Sequence, residues 1–202
     1  MSAKLRKNTC LDVSPEVIAT MVGCDEWDVL LVGDGSGTGG WTMSGAWACV
    51  TVERESDHRS ICWGGWSKAD IFVAELSAYM QALIDFEETR AAEMRRRLGR
   101  PIRVLVVSDN DTIVKWSERA MSGVRVTGAT NSIWAALRDL VKGSGLSITW
   151  RFAPRRSTML NVVVDQVCGR VRLVVQDPDL GRYHDRKGEA ERELSCINRR
   201  TR

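Results

Sequence analysis

The sequence predicts an α/β protein built on a sheet that is antiparallel in one half and parallel in the other, and three features of the chain lead there. Residues 27–37, 45–52 and 60–67 are short runs of strand formers joined by brief links, which makes a three-stranded antiparallel meander. A long amphipathic stretch at 71–98 then precedes a nearly continuous apolar run at 102–108, and a strand, a long helix and another strand imply a parallel crossover. A further strand at 146–153, preceded and followed by helical patterns, brings the count to five.

Residues 1–26 read as an extension carrying a short helix. A basic start (Lys4, Arg6, Lys7) leads to Ser14-Pro15-Glu16, an N-cap followed by proline at the first helical position, and an apolar helix to about residue 22. The first strand, within WDVLLVGDGSG, is too short for a stable helix, and Gly33, Gly35 and Gly37 stop it abruptly. It delivers one carboxylate, Asp34, into a glycine turn. The second and third strands read GAWACVTV and SICWGGWS, joined by the polar loop 53–59. Trp41, Trp47, Trp63 and Trp66 fall together here and read as a core or cross-strand cluster.

Asp70 opens the long helix, with Phe72, Val73, Leu76, Tyr79, Met80, Leu83 and Ile84 at helical spacing for a buried stripe. Its far half is polar, with Glu93 and Arg97 spaced as an i,i+4 pair, and Gly99 and Pro101 stop it. After the fourth strand comes Asp109-Asn110-Asp111, a helix at 112–121, a glycine-containing turn, and a helix at 132–142 capped by Asn131. Pro154-Arg155-Arg156 is a loop, Ser157 an N-cap, and 159–171 a helix with Leu160, Val163, Val164 and Val167 inward. From Asp177 the chain turns charged and poor in hydrophobics, as a solvated tail does.

At 202 residues the chain suffices for one domain with a real core. The formal charge is only +3, but the arginines fall in two groups, 90, 95, 96, 97, 100 and 103, then 151, 155, 156, 170 and 172. Such grouping suits a polyanionic partner, and equally suits charged helix ends. Six cysteines without a C-x-x-C pair, beside two histidines, do not make a zinc site; reduced thiols in a cytoplasmic protein fit. No apolar stretch has the length of a membrane span. Composition thus points to a polyanionic partner and no membrane, with a monomer as the default.

Four carboxylates occupy informative positions: Asp34 at the end of the first strand, Glu75 in the first turns of the long helix, Asp109 at the end of the fourth strand, and Asp165 in the last helix. In an α/β sheet, strand ends and adjacent helix starts gather in one crevice. Singly, each has a plain structural account: Asp34 as a turn residue, Asp109 as a helix cap, Glu75 on a solvent face, Asp165 at the margin of a core face. Glu75 and Asp165, however, lie in mostly apolar helical stretches where a charge is costly unless paired or bound to metal. Like charges in one cleft call for a hard divalent cation.

The order of the elements, with DGSG at Asp34, AELSAYMQAL around Glu75, SDN at Asp109 and NVVVD ending at Asp165, resembles the ribonuclease H family of the ribonuclease H-like superfamily. The resemblance spans roughly residues 27–171. It implies a five-stranded mixed sheet, strands one to three antiparallel and four and five parallel, with helices on both faces, in a domain over 27–176 between the extension and the 177–202 tail. The implied activity is cleavage of the RNA strand of an RNA–DNA hybrid by two Mg²⁺ ions, with Mn²⁺ as a substitute, held by Asp34, Glu75, Asp109 and Asp165. Gly35, Ser36, Asn110, Arg155 and Asn161 are the implied substrate contacts. Other readings are a junction-resolving nuclease of the same superfamily, and a nucleic-acid-binding module without turnover.

The chain also departs from the family. Many members carry a histidine ten residues before the last aspartate, where Arg155 stands here, and arginine cannot shuttle a proton near neutral pH. Ile71-Phe72-Val73-Ala74 replaces the asparagines that cellular members often place before the helical glutamate. The span between Met121 and Asn131 is too short for the extra basic helix of some members.

Overall fold

The computed structural model describes residues 14–37, 45–56, 58–66, 70–126, 128 and 130–176; Trp41, the basic start and the tail from Asp177 lie outside them. Five strands, β1 (Val29–Gly37), β2 (Gly45–Glu53), β3 (Arg59–Trp66), β4 (Ile102–Ser108) and β5 (Leu146–Phe152), form one sheet in the order β3-β2-β1-β4-β5. β1 to β3 pair antiparallel, while β1–β4 and β4–β5 pair parallel. The expected mixed sheet is therefore the observed one, with β1 at its centre.

Alternation along the strands divides the core into two layers. Val29, Leu31, Trp47, Cys49, Val104 and Val106 face α2 (Ile71–Phe86) and α5 (Asn131–Ser144). Leu30, Val32, Ala46, Ala48, Val50, Leu105 and Val107 face the other side, with α6 (Met159–Gln176). Ile18 and Ala19 of α1 (Pro15–Met21) are buried in this second cluster, so the segment before β1 packs onto the domain. Among the described residues no helix is long and apolar enough to cross a membrane, and Cys24, Cys49, Cys62 and Cys168 are free thiols.

The expected tryptophan cluster does not form among the described side chains. Trp47 lies opposite Gly64 and Trp63 opposite Ala48, so the two indoles stand on opposite faces of the sheet. A Cβ at Gly64 would come within 2.5 Å of the Trp47 ring, which explains the glycine.

The long helix is interrupted. α2 passes through one π-helical turn, Glu87–Ala91, into α3 (Ala92–Leu98). Within that turn the Thr89 hydroxyl donates to the Asp85 carbonyl at 2.6 Å, competing with the backbone ladder. The wider turn carries Arg90 onto Glu53, with bonds of 2.7 and 3.1 Å. The Glu93–Arg97 pair is replaced: Arg97 reaches Glu55 at 3.0 Å, because the helix end overhangs the β2–β3 loop, while Glu93 stands 4.0 Å from Arg90.

Two caps also differ. Thr130 precedes α5 without a side-chain bond, and Asn131 is its first residue. At α6 it is Thr158, not Ser157, whose hydroxyl accepts from the Asn161 amide at 3.1 Å. That helix runs past residue 171 because Val171 and Val175 pack over Gly65 of β3. Most of the first arginine group is paired within the fold. Arg95 binds Glu87, and Arg100 and Arg103 bind Asp28, so these charges are answered within the fold.

Candidate metal centre

β1 and β4 pair only as far as Val32 and Val107, and beyond that rung the two strands part. The crevice that opens there receives Asp34 from β1 and Asp109 from the residue after β4. Glu75 enters from the second turn of α2. Gly35 makes this approach possible: a Cβ there would sit 2.5 Å from the Glu75 backbone nitrogen, so any side chain would push the helix off the strand.

One carboxylate oxygen from each of Asp34, Glu75 and Asp109 lies within 4.8 Å of the others. Oxygens bound to one hard divalent cation at about 2.0–2.6 Å stand no more than about 4–5 Å apart, so the three are close enough to share an ion. Its donors are all carboxylate oxygens, with no thiolate or imidazole among them, which suits Mg²⁺-like chemistry.

The cluster is electrostatically uncomfortable on its own. Burial, then the charges of Asp109 and Asp165, push Asp34 up to about 7. Burial, against the bond from Asn110 but with the charges of Asp34 and Asp109, pushes Glu75 up to about 8. Asp109 is raised as well, chiefly by burial, although Arg155 opposes the shift. A cation placed among the three would relieve all of these effects.

Asp165 faces the same crevice from α6 but stands apart from the triad. It is held by Arg155 and, at 3.0 Å, by Arg156. Burial works against ionisation, yet these two arginines outweigh it and keep the carboxyl below its ordinary range.

The other predicted contacts divide. Asn110 uses both ends of its amide internally: Nδ2 donates to Glu75 at 2.9 Å, while Oδ1 accepts from Thr112 and Ile113 to cap α4 (Asp111–Met121). The cap of that helix is thus Asn110 and not Asp109, which leaves Asp109 free for the crevice. Ser36 accepts from Arg172 at 3.0 Å beside the cleft. Asn161 is 4% exposed and accepts from Thr158 at 2.7 Å, so the fold turns it inward rather than toward a ligand.

Three neighbours of the site carried no signal in the sequence. Ser108 donates to Glu75 over 3.5 Å and accepts from the Asn110 amide at 3.0 Å. The buried Cys168 thiol donates to the Asp34 carbonyl at 3.1 Å. Tyr79 donates its hydroxyl toward the carbonyls of both Gly33 and Val107. Its position in the apolar stripe marks it only as core.

The chain is an α/β protein whose central parallel strands part around a cluster of three carboxylates. The sheet order, the antiparallel meander and the crossover define it more narrowly as the ribonuclease H fold. No protein-family model and no curated protein sequence matches the chain. Solved structures do match. An N-terminal RNase H domain from Mycobacterium tuberculosis, solved as a fusion with maltose binding protein, superposes with a TM-score of 0.54 at 17% identity, covering 76% of this chain and 99% of that one. LC11-RNase H1, isolated from compost by a metagenomic approach, gives 0.58 at 17% identity over 76% and 99%. The RNase H domain of prototype foamy virus gives 0.52 at 14% identity over 74% and 96%.

Proposed function

We propose that the protein is a divalent-metal-dependent endonuclease of the ribonuclease H type, cleaving the RNA strand of RNA–DNA hybrids. The observation that carries this reading is the convergence of Asp34, Glu75 and Asp109 within 4.8 Å where β1 and β4 part. Similarity to LC11-RNase H1, solved in complex with an RNA/DNA hybrid at a TM-score of 0.54 and 18% identity, supports the choice of substrate.

Asp34, Glu75 and Asp109 would hold one Mg²⁺, and Asp34 with Asp165 a second. When bound, such ions supply the Lewis acidity that activates a water and stabilises the leaving 3′-oxygen. The chain's own residues arrange the rest. Asn110 and, at longer range, Ser108 hold the Glu75 carboxylate, and its further lone pairs would serve an ion or a ribose 2′-hydroxyl, the group that distinguishes RNA from DNA. Arg155 and Arg156, both about two-thirds exposed, present positive charge at the mouth of the crevice where a phosphodiester would enter. Arg155 holds its charge at every physiological pH and therefore binds phosphate without shuttling a proton.

Incubation with labelled RNA–DNA hybrid, duplex DNA, duplex RNA and a four-way junction, with Mg²⁺ or with chelator, tests the reading. Hybrid cleavage that requires Mg²⁺ is the expected result. Junction cleavage alone would move the protein to the resolvase branch of the same fold, and binding without cleavage would make it a recognition module.

A further inference from the structure

β1 carries Asp34 and β4 leads to Asp109, so the distance between the two carboxylates depends on how the strands separate after their last rung, Val32 with Val107. The Tyr79 side chain bridges that separation. Tyr79, fully buried on α2, brings its hydroxyl to 2.9 Å from the Gly33 carbonyl and 3.1 Å from the Val107 carbonyl. These carbonyls belong to the residue just before Asp34 and to the residue two before Asp109. The phenol therefore forms a side-chain rung across the gap, at the height where the backbone ladder has stopped.

The ring is as constrained as the hydroxyl. A Cβ at Gly33 would lie 2.7 Å from Tyr79 Cε1, so the tyrosine takes up the space that any other residue at 33 would need. On its other side the ring meets Trp150 of β5 edge-on at 5.2 Å, and Trp150 meets Trp134 of α5 at 5.3 Å. Tyr79 also lies four residues after Glu75, on the same face of α2, so one helical turn carries both the third carboxylate and the spacer for the other two.

We propose that Tyr79 is a positioning residue for the metal centre, its hydroxyl bridging the Gly33 and Val107 carbonyls to set the spacing of Asp34 and Asp109. This deepens the proposed function and rests on it for the reaction, although not for metal binding. A phenol offers one proton to two carbonyls, so neither is fixed to it alone and both strands are held to the same oxygen. Phenylalanine would keep the packing and lose the bridge.

Tyr79→Phe is tested against wild type by calorimetric binding of Mn²⁺ alone, by thermal unfolding without metal, and by steady-state hybrid cleavage. Mn²⁺ affinity is expected to fall about tenfold and kcat by a similar factor, while KM for hybrid stays within about twofold. Phe86→Leu, nearly two helical turns further along α2 in the same apolar cluster, serves as the stability control. It should lower the unfolding temperature with Mn²⁺ affinity unchanged. Gly33→Ala displaces the ring from the opposite side and should repeat the loss of Mn²⁺ affinity if Tyr79→Phe fails to fold. Wild-type Mn²⁺ affinity in either folded variant overturns the assignment. Absence of hybrid cleavage by the wild-type protein would instead remove the proposed reaction and leave the Mn²⁺ comparison standing.

Discussion

Arg155 donates a hydrogen bond to Asp165 from the loop after β5, and its Nε stands 4.0 Å from Asp109, so one guanidinium spans two of the four carboxylates. Arg156 completes the arrangement from the same loop, in a left-handed backbone conformation with φ of 57°. Both side chains are largely exposed, and exposed ion pairs are worth only about 0–1 kcal/mol. The contact is therefore easily exchanged. In the proposed reaction an entering phosphate would take the arginines and release Asp165 for a cation.

Arg155→His should raise turnover more than it changes hybrid affinity. In the proposed reaction a permanent cation would retain the product phosphate, whereas a histidine that loses its proton near pH 6.5, roughly its unperturbed value, would let it go and add a pH dependence to kcat. Arg155→Ala should weaken hybrid binding modestly. Steady-state kinetics of the three forms across pH check this, and indistinguishable kcat and KM would remove Arg155 from the reaction.

Asp34→Asn and Asp109→Asn should each abolish cleavage and leave the fold intact. They should also raise the unfolding temperature of the metal-free protein by a few degrees, on the order of what about 1 kcal/mol produces in a domain of this size. The Asp34 carboxyl is raised from 3.8 to about 7 on folding, so its contribution to stability is complete below 3.8 and is lost as pH climbs toward 7. The metal-free wild type should accordingly lose stability over that interval more steeply than Asp34→Asn. Thermal melts across pH with chelator measure the difference; parallel curves would show that Asp34 is not strained.

Hybrid affinity should fall steeply with salt, because arginines that neutralise phosphates release counterions. The arginines proposed to contribute are the two exposed ones beside Asp165. Arg155→Ala or Arg156→Ala should each reduce the slope of log K against log salt by roughly one. Arg97→Ala should leave it unchanged, since Arg97 lines a cleft with Trp27 and Asp28 at the other end of β1, away from the carboxylates. Equal slopes for all four proteins would place the nucleic acid elsewhere.

The division between legible and illegible features has a physical basis. The strands and most helix limits were readable because they depend on local periodicity and on glycine or proline stops, as at Gly99, whose φ of 62° ends α3. Glu75 stood out in the sequence because a carboxylate in an apolar helical stretch is costly, and Asp34 and Asp109 because the topology brings strand ends together. Roles that depend on which atom meets which were not readable. Nothing local shows that Asn110 spends both ends of its amide within the fold, or that the long helix passes through a π-helical turn at Glu87–Ala91. Tyr79 reads as one apolar position among seven until the strands beneath it are seen to part. The arginine groups show the same limit, since spacing along the chain could not reveal that Arg100 and Arg103 converge on Asp28.

That convergence supplies the last prediction. Asp28 lies just before β1, and its two oxygens accept from Arg100 at 2.7 Å each, while the Arg103 backbone amide donates at 2.8 Å and its guanidinium at 3.2 and 3.4 Å. Burial opposes its ionisation, but the bonds from Arg100 and Arg103 outweigh burial and hold the carboxyl well below its ordinary range. A carboxyl depressed on folding adds stability above its unfolded value near 3.8, and that stability disappears as pH falls through the folded value. Asp28→Asn should therefore cost about 2 kcal/mol near neutral pH, less than a fully buried pair because both arginines remain about one-third exposed. The gap between variant and wild type should narrow as the solution is acidified below 3.8. Urea unfolding at a series of pH values, read by tryptophan fluorescence, checks both statements. Because Asp28 sits at the end of β1 remote from Asp34, Mg²⁺-dependent cleavage by the folded variant should match wild type. A pH-independent difference would mean that Asp28 contributes through packing and backbone hydrogen bonding rather than through its charge.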